Sequence, residues 1–151
     1  MSRDDSDVDP EAGDERENLL RRLSRETVRI QKSGFGKGPE SVKSYLFDDL
    51  LLVVMRDGLT VAEKSMVAFG QQDLVRNFRQ QFENEMTSRF VGMVEEVTGR
   101  KVLTYQSQIM FDPDVVVEMF VFDRAFDGYF ASAEARGDEE DDANAGAPRT
   151  P

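Results

Sequence analysis

Residues Ser41–Arg56 read SVKSYLFDDLLLVVMR, two seven-residue runs of β-branched, aromatic and aliphatic residues on either side of Asp48 and Asp49. The run lengths and the acidic pair between them predict a hairpin closed by a two-residue turn. In that register Lys43, Tyr45 and Phe47 share a face with Leu50, Leu52 and Val54. Val42, Ser44, Leu46, Leu51, Val53 and Met55 form the other. Neither face is polar, which is unusual for a hairpin with one side in water.

Upstream, from Asn18 to Ser33, the period lengthens. Leu19, Leu20, Leu23, Val28 and Ile30 return at near-helical intervals with Thr27 filling the stripe, and Arg21, Arg22, Arg25, Arg29 and Lys32 take the other positions. This predicts an amphipathic helix whose basic face lies in solvent, with Gly34 as its stop. Downstream, Thr60 and Glu63 in TVAE have the spacing of a capping box, so a short helix is expected from Val61 to about Phe69. Gly70 then breaks or bends the chain before a longer helix. Its expected apolar stripe is Leu74, Phe78, Phe82, Met86, Phe90, Met93 and Val97, and it ends at Gly99. Arg79 with Glu83, and Glu85 with Arg89, read as exposed pairs one turn apart.

Two further strands follow, in KVLTYQSQIMF and VVVEMFVF, with Asp112, Pro113 and Asp114 as the turn. The fold class is therefore α+β: helix, two strands, helix, two strands, with helices on a four-stranded, mainly antiparallel sheet. Only the third strand offers a polar face, through Gln106 and Gln108. The surplus apolar face elsewhere is expected to meet another molecule, as large exposed apolar patches generally do. The competing expectation is that the helices and a C-terminal arm with Phe126, Tyr129 and Phe130 cover both faces, or that the arm lies on a neighbour.

Charge divides the chain in three. Of the net −11, residues 1–17 hold eight acids against two arginines and residues 132–151 six against two, so the middle is nearly neutral. Both ends lack aromatics, and Val8 is the only aliphatic larger than alanine in them, so both are expected to be mobile tails around one domain at 18–131. A neutral body with acidic arms argues against nucleic acid as a partner. The chain has no cysteine and no histidine, which removes thiol, imidazole and the usual zinc chemistry, and no metal or cofactor is expected. Its longest apolar run is Leu50–Met55 and its N-terminus is acidic, so a soluble, cytoplasmic chain without a membrane span is expected.

Gly34–Ser41, GFGKGPES, has the glycines and lysine of a phosphate cradle. It lacks the Gly-Lys-Ser/Thr order, and it leaves a helix to enter a strand, the reverse of a P-loop. A helix stop and turn is the better reading. The acid pairs Asp48/Asp49 and Asp112/Asp114 sit in turns and, like Asp123/Asp127, carry no calcium-loop pattern, so no catalytic residue is assigned. Lys37, Tyr45, Arg79 and Arg89 are the candidate contacts for a partner or an anion.

Taken together, GKGPESVKSYLFDDLLLVVMRDGLTVAE, LVRNFRQQF, EEVTGRKV and VEMFVFD resemble the bacterial domain named for the MpsC component of a sodium-translocating, membrane-potential-generating system, from about Leu19 to Asp123. The linked order of GKGP, GLTxxE and TGxKV carries the resemblance. It implies association with membrane ion or inorganic-carbon transport, and it brings no catalytic residues. The expected function is an accessory or regulatory subunit, a cytoplasmic homodimer that also meets a membrane transporter subunit, peripherally at the inner face of the membrane. The alternative is a small-ligand or anion-binding protein or enzyme using the Gly34–Ser41 turn.

Overall fold

The structure, a computed structural model, describes residues 10–126. Helix α1 (Pro10–Phe35) leads to strands β1 (Ser41–Phe47) and β2 (Leu50–Arg56). Helices α2 (Val61–Ala68) and α3 (Gln72–Thr98) precede β3 (Val102–Met110) and β4 (Val115–Phe122). The four strands form one antiparallel sheet in the order β1-β2-β4-β3, so each hairpin contributes an inner and an edge strand.

The hairpin closes as its sequence requires. Tyr45 pairs with Leu52 and Phe47 with Leu50, and Asp48 takes a left-handed φ of 49°, a conformation aspartate tolerates. Leu46, Leu51, Val53 and Met55 are buried beneath the helices, with Phe120 and Phe122 of β4 and Ile109 of β3. The core closes over them from above through Leu23 and Ile30 of α1 and Met86, Phe90 and Val94 of α3.

Several expectations shift. Helix α1 begins at Pro10, not Asn18, so part of the expected N-terminal tail is helical. Its first turns contain no apolar residue after Pro10 larger than alanine until Leu19, so amphipathic periodicity had nothing to register, while proline in a first turn and acids near the N-terminus both suit a helix start. The remaining tail expectations, for residues 1–9 and 132–151, and those for Tyr129 and Phe130, lie outside the described residues. Phe126 does not reach a neighbour. It is buried, its ring 4.8 Å from that of Phe122 and its N–H bonded to the Asp48 carbonyl at 2.8 Å.

Helix α1 stops two residues later than Gly34. Gly36 has the left-handed φ of 76° that ends it, its N–H returning to the Lys32 carbonyl at 2.9 Å. Gly34 serves a different need. A Cβ there would stand 2.6 Å from Cε1 of Phe82, so only glycine lets α1 and α3 cross this closely. The capping box forms as expected, Thr60 Oγ1 accepting from Glu63 N–H at 3.2 Å and Glu63 Oε1 from Thr60 N–H at 3.0 Å.

The stripe on α3 is half right. Met86 and Phe90 are buried, but in the N-terminal half Val75, Arg79 and Glu83 point inward while Leu74 and Phe78 are exposed. Two stripes one residue apart compete there, and the polar one lies inside because it finds partners, described next.

Candidate functional site

The capping box holds more than a helix end. Glu63, fixed by Thr60, receives Arg79 in a bidentate pair, Nε to Oε2 at 2.6 Å and Nη2 to Oε1 at 2.7 Å. Arg79 Nη2 also donates to the Gly58 carbonyl at 2.8 Å, and its guanidinium lies 4.1 Å from the ring centre of Phe35. Nε, Nη2 and the guanidinium face are all engaged, and only 3% of the residue is exposed. Burial pushes the Glu63 carboxyl up, but the hydrogen bonds and charge of Arg79 and the bonds from Thr60 outweigh it, leaving Glu63 below the usual carboxylate range. The expected exposed Arg79–Glu83 pair is therefore corrected: Arg79 pairs with Glu63 across the α2–α3 elbow, inside the protein.

Glu83 goes elsewhere. It is fully buried, as is Glu118 of β4, and the two carboxyls lie within hydrogen-bonding reach. Gln31 of α1 donates to Glu83 Oε1 at 2.9 Å, Ser107 of β3 donates to Glu118 Oε1 at 3.2 Å, and the Tyr105 hydroxyl donates to Glu118 Oε2. Burial and then the neighbouring Glu83 push Glu118 well above the carboxylate range, and burial also raises Glu83. The same burial, with Glu118 alongside, pushes the Tyr105 phenol up. Glu118 is the lone charge of its strand, but nothing in the spacing of residues 83 and 118 shows that they meet.

The Gly34–Ser41 turn packs closely against the loop after β2. Lys37 Nζ donates to the Leu59 carbonyl at 3.2 Å, and the cavity beneath, bounded by Gln31, Lys37, Pro39, Gly58, Arg79 and Asp114, measures about 10 Å³, room for a single water. Among the described residues no group of three or more metal-ligating side chains assembles.

Two apolar surfaces remain open. On the sheet face away from the helices, Leu50, Leu52, Val54, Val117, Met119 and Val121 form a half-buried band along β2 and β4. Tyr45 and the exposed Lys43 and Phe47 flank it on β1, and Thr104, Gln106 and Gln108 on β3. At the α2–α3 elbow Val61 (81% exposed), Phe69 (75%), Leu74 (55%) and Phe78 (53%) are open to solvent, and Leu74 and Phe78, with Ala62, Glu63, Met66 and Val75, line an apolar hollow of about 310 Å³. The candidate contacts are thus dispersed: Tyr45 on the open sheet face, Arg89 exposed on α3 with Glu85, Lys37 half-buried at the turn, Arg79 inside. Ion pairs among the described residues include Arg21–Glu17, Arg29–Glu26 and Arg79–Glu63.

No described helix is long and apolar enough to cross a membrane. No solved structure matches the chain significantly. A curated relative, the "Uncharacterized protein YrhF" of Bacillus subtilis (strain 168), is 26% identical over 102 residues, 66% of this chain and 83% of the relative. The family model described as "Na+-translocating membrane potential-generating system (MpsC)" matches residues 15–124, from the first half of α1 to just beyond β4, and the chain belongs to that family.

Proposed function

We propose that the protein is an accessory or regulatory component of a membrane ion-transport system, for sodium or inorganic carbon, and that it acts by protein–protein contact from the cytoplasmic side. The observation that carries this reading is the apolar elbow. Leu74 and Phe78 of α3, both more than half exposed, line one hollow with Ala62 and Met66 of α2, and the buried Arg79–Glu63 pair locks the two helices together. A rigid apolar hollow of this kind fits the apolar face of an amphipathic helix on a partner subunit. The family description supplies the system, and the described helices supply no pathway of their own. The open sheet face, charged only at Lys43 and, at the end of β2, Arg56, suits a second copy packed face to face, giving a homodimer that leaves both elbows clear.

Binding of a small ligand under the Gly34–Ser41 turn is disfavoured by a cavity that holds one water. The test is co-purification from host membranes with the wild-type protein and with a Leu74→Ser/Phe78→Ser variant. A membrane transport subunit recovered with the wild type and reduced at least tenfold with the variant supports the reading. Equal recovery with both, or a retained small molecule and no such subunit, overturns it.

A further inference from the structure

The two buried carboxyls have four oxygens between them, and three have protein donors. Gln31 Nε2 serves Glu83 Oε1, Ser107 Oγ serves Glu118 Oε1, and Tyr105 Oη serves Glu118 Oε2. The fourth, Glu83 Oε2, is buried with no donor from the protein. An acceptor left bare in a dry interior is costly, and two adjacent carboxylate charges there cost far more.

The cation that acts on the pair is already paired with another carboxylate. From α3, Arg79 exerts a favourable charge on Glu83, but its Nε and Nη2 donors are committed to Glu63 of α2 and the Gly58 carbonyl. From α1 the facing group is the neutral Gln31 amide, and from β3 it is the Tyr105 phenol and the Ser107 hydroxyl. One proton placed between the two carboxyls supplies the missing donor and removes one charge. It settles both deficits.

We propose that Glu83 and Glu118 form a buried proton-binding site that holds one shared proton and that this proton ties the helical layer to the sheet. Glu118 belongs to β4, Glu83 to α3, and Gln31 brings in α1, so the site lies where three elements meet. The direction of both shifts, upward through burial, agrees with a proton retained at neutral pH. Loss of the proton sets two like charges against each other across the α3–sheet interface, and the protein responds by loosening that interface.

The sign follows from linkage. The folded pair binds a proton that the unfolded chain releases near the ordinary carboxylate value of 4.5, so stability falls as pH rises from there until the folded pair itself titrates. The chain has no histidine and no cysteine, so few other groups change charge between pH 6 and pH 8 and the background is flat.

Urea unfolding of the full chain, followed by circular dichroism from pH 6 to pH 8, tests the site. The unfolding constant of the wild type is expected to rise by close to tenfold per pH unit, the limit for one proton. In Glu118→Gln, whose amide N–H replaces the shared proton, the rise should fall below about twofold per unit. The infrared carbonyl band of a protonated carboxyl in the wild type at pH 7, lost or shifted in that variant, is the independent readout should the variant fold poorly. A flat wild-type profile, or no such band, overturns the proposal. So does recovery of wild-type stability at pH 8 when sodium chloride replaces choline chloride at equal ionic strength, since a metal cation would then be the natural occupant.

Discussion

Arg79 shows how one side chain can organise an elbow. It reaches from α3 to a carboxylate that α2's own cap has already positioned, and it rests on the Phe35 ring at the end of α1. Arg79→Ala leaves Glu63 buried without its cation, a loss of about 3–5 kcal/mol by analogy with other broken buried pairs. Arg79→Lys keeps the charge but neither the fork nor the flat stack, so it should recover less than half of that loss. Urea midpoints of the two variants against the wild type measure both, and a Lys variant as stable as the wild type would contradict the geometry. This arrangement was hidden in the sequence by a nearer candidate. Glu83 stands one helical turn from Arg79 and Glu63 sixteen residues away, and only the inward rotation of α3 decides between them. The meeting of Glu83 with Glu118 was hidden for the same reason, because it depends on which stripe of α3 faces the sheet.

Elements were legible wherever a local chemical signal marked them. The DD hairpin, the TVAE cap and the Gly99 helix stop, with a φ of 67°, all formed where their residues pointed. The GFGK segment was harder, since two glycines two residues apart have different duties and both read as a stop. Gly36 supplies the left-handed turn, whereas Gly34 is a crossing point between helices that no local rule reveals. Gly34→Ala should therefore displace Phe82, which packs with its ring centre 4.4 Å from that of Phe35, and cost about 1–3 kcal/mol as overpacking. Shortening the obstructing ring in Gly34→Ala/Phe82→Leu should return at least half of that loss. Thermal denaturation of the two variants distinguishes this from a simple propensity effect, which would make Gly34→Ala stabilising.

At the scale of the whole molecule, the apolar surplus visible in SVKSYLF, LLLVVMR and VVVEMFVF resolves into one face under the helices and one that no described helix covers. The sequence could show that both faces were greasy, but which one the helices choose depends on strand order and on Glu118 having partners on the helical side. A sheet of four strands spaced by ~4.8 Å and seven residues long at ~3.4 Å each presents roughly 450 Å². Two copies face to face would bury about 900 Å², below the ~1,200–2,000 Å² of standard stable interfaces. The homodimer we propose should accordingly be concentration-dependent, with a mass by sedimentation that moves from one chain to two as protein is added. Leu52 lies at the middle of the band, between Tyr45 and Met119, and is half-buried. Leu52→Arg places a charge at the centre of the paired face while the isolated chain can keep it in water. The variant should keep the wild-type circular dichroism spectrum and remain one chain at every concentration. A wild type that is a single chain throughout, or a Leu52→Arg protein that still pairs, would remove the sheet face from the contact surfaces and leave the elbow alone to make the partner contacts.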